Sequence, residues 1–266
     1  MKKFGKVLAM LLSLTMFASF AGCGAKKGAD DNSADQKQEA TTGISKDKIK
    51  VGVIHIGDPE AGSGYSYAHD LGIQEMQKNL GLSDEQIVRK NNVSDGDPTA
   101  TETAIVECIE EGCNIIFGTS WGYMDTMEAL AEQYPDVIFS HGTGYKSNDK
   151  NFNNYFGRIY QARYLSGIVA GMKTESNKIG YVAAMGKDNS EVTGGIDAFA
   201  MGVNSVNPDA QIYVKVTNSW YDPAEETNAA KALINSGCDV IGQHCDTPNP
   251  QLEAENAGVW GVGYNS

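Results

Sequence analysis

One stretch of the chain occurs twice, and this repeat limits the folds that the chain can adopt. Segment 97–120 reads DPTATETAIVECIEEGCNIIFGTS, and segment 222–245 reads DPAEETNAAKALINSGCDVIGQHC, at a constant offset of 125 residues. Each copy opens with Asp-Pro, a helix cap followed by the residue that fits the first helical position. Gly112 and Gly237 stand where a helix ends in the left-handed conformation, and each precedes an apolar run typical of a buried parallel strand. The repeat therefore predicts two helix–strand units of a doubly wound α/β fold, most simply one in each of two similar lobes.

The rest of the chain alternates between strand and helix patterns. The alternation restarts when KIGYV (178–182) echoes KVGVI (50–54). Such alternation predicts parallel sheets with right-handed crossovers. We therefore predict a first lobe over 47–158 and a second over 159–266. The chain stops after the strand-like GVWGVGYNS, so the second lobe is expected to be incomplete at the C-terminus.

The N-terminus resembles an export signal. Lysines precede the apolar run VLAMLLSLTMFASFA, which is short for a membrane span of about 20 residues, and a small residue precedes Cys23. FAGC resembles a bacterial lipobox, so 1–22 is predicted to be a lipoprotein signal peptide and Cys23 the site of lipid (palmitate) attachment. An ordinary signal peptide is the alternative. The polar stretch that follows cannot form a core, and we predict a flexible tether over 23–46 that leaves the protein extracytoplasmic, on the membrane through its lipid alone.

Charge and cysteine spacing exclude several kinds of partner. Removal of the three signal-peptide lysines leaves 18 basic against 34 acidic residues, a net charge of −16, so no nucleic-acid partner is expected. Four further cysteines match no zinc or redox motif: Cys108, Cys113, Cys238 and Cys245. Cys113 and Cys238 are predicted to be small apolar core residues, whereas the disulfide state of the other two stays open. A metal site at 244–246 is disfavoured, and we predict neither a metal nor a cofactor.

Aromatic side chains recur beside short polar ones after the predicted strands, where ligands bind in open α/β sheets. The candidates for ligand contact are Tyr65, Tyr67, Trp121, Asp125, Trp220, Asp246 and Asn265. Such a lining suits a flat or ring-shaped neutral polar ligand, because aromatic faces stack and short polar groups fix hydroxyls or ring N–H groups. For any single aromatic residue, capping of the core is the alternative.

A hydrolase motif competes with the binding interpretation. GTSWG at 118–122 matches G-x-S-x-G between a strand and a helix, which would make Ser120 the nucleophile of an esterase. HGTG at 141–144 could supply an oxyanion loop, but it follows the serine instead of preceding it. His244 lies in the loop equivalent to that of Ser120. We therefore favour a binding protein and predict no catalytic residue.

Five segments together carry a family pattern: GYSYAHDLG, FGTSWGYMD, RIYQARYLSGIVAG, NSWYDPAEE and IGQHCDTPNPQLEAENAGVWGVGYNS. They resemble the basic membrane protein (BMP) family of substrate-binding lipoproteins of ABC transporters, over 49–266. The resemblance implies a type I periplasmic-binding-protein fold, two lobes joined by a hinge that close on a purine nucleoside or base without enzymatic activity. It implies delivery to a permease with ATPase subunits. Known members continue past Ser266, so a C-terminal truncation is expected, and we expect a monomer.

The resemblance also assigns ligand contacts by position. Tyr65 stands where the family has the Phe of its first loop, and Ser66 replaces the following Asn. Trp220 stands where the family has a second stacking Phe, so the two rings would sandwich the base. Trp121 and Asp125 fall on the aromatic and Asp positions of the family's G-x-x-F loop.

One position departs from the family pattern. Asn265 stands where the family has an Asp that binds ribose hydroxyls or the base. Asn carries no charge and accepts only through its carbonyl oxygen, so a free base such as adenine is an alternative to a nucleoside. A sugar or a signalling molecule on the same scaffold is the other ligand class that the aromatic and polar residues would suit.

Overall fold

Helices and parallel strands alternate through the computed structural model, which describes residues 43–265. The predicted signal peptide, the predicted lipidation site Cys23 and residues 24–42 of the predicted tether lie outside the described residues. Within residues 43–265, no helix combines the length and the apolar character needed to cross a membrane.

The first lobe contains a five-stranded parallel sheet in the order β2-β1-β3-β4-β5. Its elements are β1 (Val51–Ile54), α1 (Tyr65–Leu80), β2 (Ile87–Lys90), α2 (Pro98–Glu110), β3 (Ile115–Gly118), α3 (Met124–Gln133), β4 (Ile138–Gly142) and β5 (Phe152–Tyr155). The central strand β1 is buried along its whole length, as expected for a strand covered on both faces.

The second lobe contains a four-stranded parallel sheet in the order β7-β6-β8-β9. Its elements are α4 (Ile159–Lys173), β6 (Lys178–Ala183), α5 (Ser190–Val206), β7 (Gln211–Val216), α6 (Pro223–Asn235), β8 (Val240–His244), α7 (Asn249–Ala257) and β9 (Trp260–Val262). The predicted α/β class with two parallel-sheet lobes is confirmed. At one edge of this sheet, β7 leaves Tyr213, Val214 and Val216 between 38% and 41% exposed.

The two copies of the sequence repeat fold alike. The Asp97 carboxylate accepts hydrogen bonds from the backbone N–H groups of the first turn of α2, and Asp222 does the same for α6. Beyond the helix ends, Gly112 and Gly237 have φ angles of 90° and 93°, in the region that favours glycine. Strands β3 and β8 follow, each beside the first strand of its sheet.

A glycine in the first strand of each sheet lets the repeated helix pack closely. A Cβ atom on Gly52 would lie 2.7 Å from the Ile116 Cδ1 atom and 2.9 Å from the Cys108 Cβ atom. A Cβ atom on Gly180 would lie 2.8 Å from the Ile241 Cδ1 atom and 2.9 Å from the Leu233 Cβ atom. The two lobes therefore use the same packing solution between strand and helix.

Alanine at either glycine is expected to destabilise the protein. Gly52→Ala and Gly180→Ala should each cost about 1–3 kcal/mol, because a methyl group would overpack a filled core. Chemical unfolding of the purified variants measures this cost. Gly72→Ala is the matched control: Gly72 is exposed in α1, nothing lies within 4 Å of its added Cβ, and alanine there should stabilise the helix. Equal stability of all three variants would contradict the packing argument.

Candidate functional site

The carboxyl ends of strands from both sheets face a small cavity between the two lobes. The first lobe contributes Tyr65, Ser120, Trp121 and Thr143, and the second contributes Glu191, Trp220 and Asp246. Each of these residues follows a strand of its sheet, at the edge where open α/β folds bind ligands. Four of the residues predicted from sequence, Tyr65, Trp121, Trp220 and Asp246, are brought together here.

Aromatic rings from both lobes form the apolar part of the cavity wall. Tyr65 is 6% and Trp220 5% exposed, although each lines the cavity, and Trp121 is half-buried. Neighbouring rings hold the two tryptophans in place. Trp220 packs edge-on against His244 with ring centroids 5.9 Å apart, and Trp121 packs against Tyr145 at 6.0 Å. The cavity thus has aromatic side chains on both sides, as stacking on a flat ligand requires.

A backbone contact between the lobes positions Tyr65. Its N–H donates to the Asp246 carbonyl oxygen at 3.0 Å, and the Asp246 N–H donates to the Trp220 carbonyl oxygen at 2.9 Å. Tyr65 is the first residue of α1. The preceding Gly64 has φ 91° and ψ −173°, a conformation that is essentially restricted to glycine.

Several polar atoms at the cavity are buried and have no hydrogen-bond partner among residues 43–265. They include the Tyr65 hydroxyl, the Thr143 Oγ1 atom and the Glu191 Oε2 atom. Buried polar groups in folded proteins nearly always find a partner, because an unpaired one costs free energy. Thr143 is also β-branched with φ 71°, and backbone strain of this kind is concentrated at functional sites. These atoms are available to a polar ligand in the cavity.

Burial changes the protonation of the carboxyl groups at the cavity. Burial penalises the charged form of Glu191 and raises its pKa to about 7. Burial, and then neighbouring buried carboxylates, raise the pKa of Asp246 well above its usual range. The His244 Nε2 atom lies 3.5 Å from the Glu191 Oε1 atom, but burial lowers the pKa of His244 and keeps it neutral. Near neutral pH, Glu191 can therefore act either as a hydrogen-bond donor or as an acceptor.

The raised pKa of Glu191 predicts a pH dependence of stability. Between the unfolded value of 4.5 and about 7, the folded state holds a proton that the unfolded state has lost, so stability falls as the pH rises through this interval. The full effect is at most on the order of 3 kcal/mol. Glu191→Gln should flatten this part of the profile, measured by chemical unfolding from pH 4.5 to 8. An unchanged profile, with the exposed Glu110→Gln as control, would contradict the assignment.

The other sequence-predicted residues lie outside the cavity lining. Ser66 is buried beside it, and its Oγ atom accepts a hydrogen bond from the Gly57 N–H at 3.0 Å. Tyr67 is half-buried within α1. The Asp125 side chain is 80% exposed and pairs with the Lys146 Nζ atom at 2.8 Å. Asn265 has φ 54°, and its buried Nδ2 atom lacks a partner.

Sequence reasoning missed Glu191 and Thr143. Both stand in segments that follow predicted strands, which was the available signal, but neither is aromatic or part of a recognisable motif. The strained φ of Thr143 and the burial of Glu191 at the start of α5 depend on how the lobes meet.

The geometry around Ser120 is not that of a hydrolase nucleophile. Its Oγ atom donates to the Asp95 Oδ2 atom at 2.7 Å, and its backbone angles, φ −147° and ψ 149°, are ordinary extended values rather than those of a strained elbow. The His141 Nε2 atom contacts the Ser120 carbonyl oxygen at 2.7 Å, not the hydroxyl. Among residues 43–265, no three His, Cys, Asp or Glu side chains are arranged to hold a metal ion.

Two curated relatives cover most of this chain. A putative ABC transporter glucose-binding protein of Haloferax volcanii is 42% identical over 80% of the chain and 52% of the relative. A purine-binding protein of Brucella abortus is 38% identical over 84% of the chain and 61% of the relative. The chain thus spans about half to three fifths of the length of these relatives.

Solved structures share the fold at low sequence identity. An ABC transporter solute-binding protein from Aeropyrum pernix K1 matches with a TM-score of 0.69 at 17% identity, covering 81% of this chain and 62% of that one. One from Conexibacter woesei matches with a TM-score of 0.59 at 22% identity, covering 82% and 71%. The fold is therefore that of periplasmic-binding-protein structures, as the resemblance implied.

The match extends to a family model. The model described as Bmp, ABC transporter substrate-binding protein PnrA-like, matches residues 48–263, which include the whole of both sheets. This is a family of substrate-binding transport proteins and not an enzyme family. Together with the sequence identity to the two relatives, the match establishes that the chain belongs to the Bmp family of ABC transporter substrate-binding proteins.

Proposed function

We propose that the protein is an extracytoplasmic solute-binding lipoprotein that captures a purine base or nucleoside between its two lobes. One observation carries the proposal: aromatic rings from both lobes meet unpartnered, buried polar atoms at a single cavity. The Brucella abortus relative is named a purine-binding protein, which supports the same ligand class.

Each part of the cavity has a role in this proposal. Tyr65 and Trp220 stack on the two faces of the purine ring, and each face contributes about 1–3 kcal/mol. Glu191 pairs with the hydrogen-bonding edge of the ring, because its carboxyl accepts from a ring or amino N–H group when ionised and donates when protonated. The Thr143 and Tyr65 hydroxyls, which lack partners, complete the polar contacts.

Asn265 favours a base over a nucleoside. It lacks the charge of the family Asp that binds ribose hydroxyls or the base, so it offers a weaker partner to ribose hydroxyls. Of the two purine forms, the base is therefore the better fit.

A membrane anchor and a permease deliver the captured ligand. A lipid on Cys23 holds the protein on the outer face of the cell membrane. The protein is a monomer, and its tether lets the two lobes move near a permease. Closure on the ligand presents surfaces of both lobes to that permease, which is driven by ATPase subunits. The net charge of −16 that remains after removal of the signal peptide makes a nucleic-acid partner unfavourable. Replacing Cys23 with serine should release the protein from membranes, and retention of the variant would contradict the anchor.

A sugar is the second candidate ligand. The Haloferax volcanii relative is named a glucose-binding protein, and aromatic rings combined with carboxyl groups also suit sugar rings. An esterase is the weakest alternative, because the Ser120 hydroxyl is hydrogen-bonded to Asp95 and not to a histidine.

Thermal unfolding distinguishes these candidates. The mature protein, with Cys23→Ser and stripped of endogenous ligand, is heated with adenine, adenosine, guanosine, inosine, ribose, galactose or glucose. A ligand at 100 times its dissociation constant stabilises the folded state by about 2.7 kcal/mol, which is readily measured. We expect stabilisation by purines, with adenine at least as effective as adenosine. Stabilisation by sugars alone would replace the purine proposal, and no response to any compound would refute both ligand classes.

A further inference from the structure

The C-terminal end of α2 links two cysteines through the backbone, and both of their thiols are free in this structure. The Gly112 N–H donates to the Ile109 carbonyl oxygen at 2.9 Å, and the Cys113 N–H donates to the Cys108 carbonyl oxygen at 2.9 Å. These two bonds define a Schellman motif, in which the residue after the left-handed glycine contacts the third residue from the helix end. Those residues are Cys113 and Cys108, which are 3% and 0% exposed.

The second lobe contains the same motif with a different pair. The Gly237 N–H donates to the Ile234 carbonyl oxygen at 2.9 Å, and the Cys238 N–H donates to the Leu233 carbonyl oxygen at 3.2 Å. Leu233 therefore stands where the first lobe has Cys108, at the 125-residue offset of the repeat. An ordinary apolar contact is sufficient for this turn, so the motif itself does not require two thiols.

We propose that Cys108 and Cys113 are an oxidisable pair that closes a disulfide across the C-terminal end of α2 in the exported protein. The proposal rests on the extracytoplasmic location proposed above, since disulfides persist in oxidising compartments. The two residues are five positions apart, and the helix end that brings them together forms locally. Oxidation can therefore occur during folding, before the first lobe buries both thiols.

The chemistry is a thiol–disulfide exchange with a disulfide oxidant. Before the thiols are buried, the thiolate of either cysteine attacks one sulfur of the oxidant, displaces one thiol from it and forms a mixed disulfide. The other cysteine then attacks the sulfur of the first and releases the second thiol. Two protons leave the protein, the cysteine pair is oxidised by two electrons, and one oxidant disulfide is reduced.

The disulfide would lie away from the ligand cavity. Cys113 precedes β3, whereas Ser120 and Trp121 follow it, so the pair and the cavity are at opposite ends of the same strand. Oxidation is therefore expected to raise the thermal midpoint by a few degrees, through restriction of the unfolded chain, and to leave ligand affinity unchanged.

A thiol count on the full mature chain, with Cys23→Ser, tests the proposal. The protein is unfolded and refolded in reduced and oxidised glutathione, quenched with an alkylating reagent in denaturant, and weighed by mass spectrometry. After oxidation, two of the four thiols should escape alkylation, and the measured mass should show no glutathione attached to the protein. Peptide mapping should place the bond between Cys108 and Cys113. Four alkylated thiols at every glutathione ratio, or bound glutathione alone, would overturn the proposal.

Variants make the count specific. Cys108→Ala and Cys113→Ala should each restore full alkylation of the remaining thiols, whereas Cys238→Ala should still lose two. Leu233→Cys, which copies the first-lobe pair into the second lobe, should lose two more thiols than wild type. A two-thiol loss that persists in Cys108→Ala would refute the pairing. Thiol counts do not depend on ligand, so a failed ligand screen and a failed disulfide are separate results.

Discussion

Replacing Trp220 with alanine is expected to weaken purine binding by roughly 5- to 150-fold. Trp220 lines the cavity from the second lobe, as Tyr65 does from the first, and removal of one stacking face costs about 1–3 kcal/mol. Because the side chain is only 5% exposed, its truncation is also expected to destabilise the fold by about 3–5 kcal/mol. Titration calorimetry with adenine gives the affinity, and chemical unfolding without ligand gives the stability cost separately.

Two further variants separate stacking from folding. Trp220→Leu keeps an apolar side chain but removes the aromatic face, so it should lose affinity while losing less stability. Trp260→Ala removes a 54% exposed tryptophan that packs against Lys173 outside the cavity, and its affinity should equal that of wild type. If Trp220→Leu bound adenine as tightly as wild type, stacking on this residue would be refuted.

Alanine at Gly64 is expected to disfavour the closed arrangement of the lobes. A Cβ atom there would lie 2.6 Å from the Asp246 carbonyl oxygen, which accepts the Tyr65 N–H across the cleft. In addition, φ 91° with ψ −173° is a region that costs a non-glycine residue about 1–3 kcal/mol. The ligand must overcome this cost on closure, so Gly64→Ala should weaken binding roughly 5- to 150-fold, again measured by calorimetry.

Gly62→Ala provides the matched control within the same loop. Gly62 also has a positive φ, of 79°, but nothing lies within 4 Å of its added Cβ. This variant should lose some stability and keep its ligand affinity. Small-angle scattering of Gly64→Ala with saturating ligand should show a more extended particle than wild type. If both variants lost the same affinity, backbone strain would explain the weaker binding, and contact between the lobes would not.

Local signals in the sequence predicted the helix–strand units because each depends on few neighbours. The Asp97 and Asp222 caps, and the left-handed Gly112 and Gly237, are set by residues within one helical turn. The apolar runs after them predicted parallel strands, and the equal spacing of the two copies predicted two lobes. These features need no information about distant contacts, so a single sequence was enough.

Side-chain placement in the cavity was harder to predict, because it depends on contacts between lobes. Tyr65, Trp121, Trp220 and Asp246 line the cavity, as their positions after strands suggested. Glu191 is not aromatic and stands in the first turn of α5, where a glutamate is commonly explained by the helix dipole without reference to a cleft. Conversely, the predicted contact Asp125 pairs with Lys146 at the surface, a partner that sequence spacing does not reveal.

The edge of the second sheet affects how the protein behaves at high concentration. Within the part of the chain that the structure describes, no strand pairs with the outer side of β7, and apolar side chains are exposed on both of its faces. An edge of this kind is a template for strand addition by a second chain, the first step of many aggregation processes. Lys215 is the single charged residue in the strand QIYVKV, and repulsion between lysines in two approaching edges opposes that pairing.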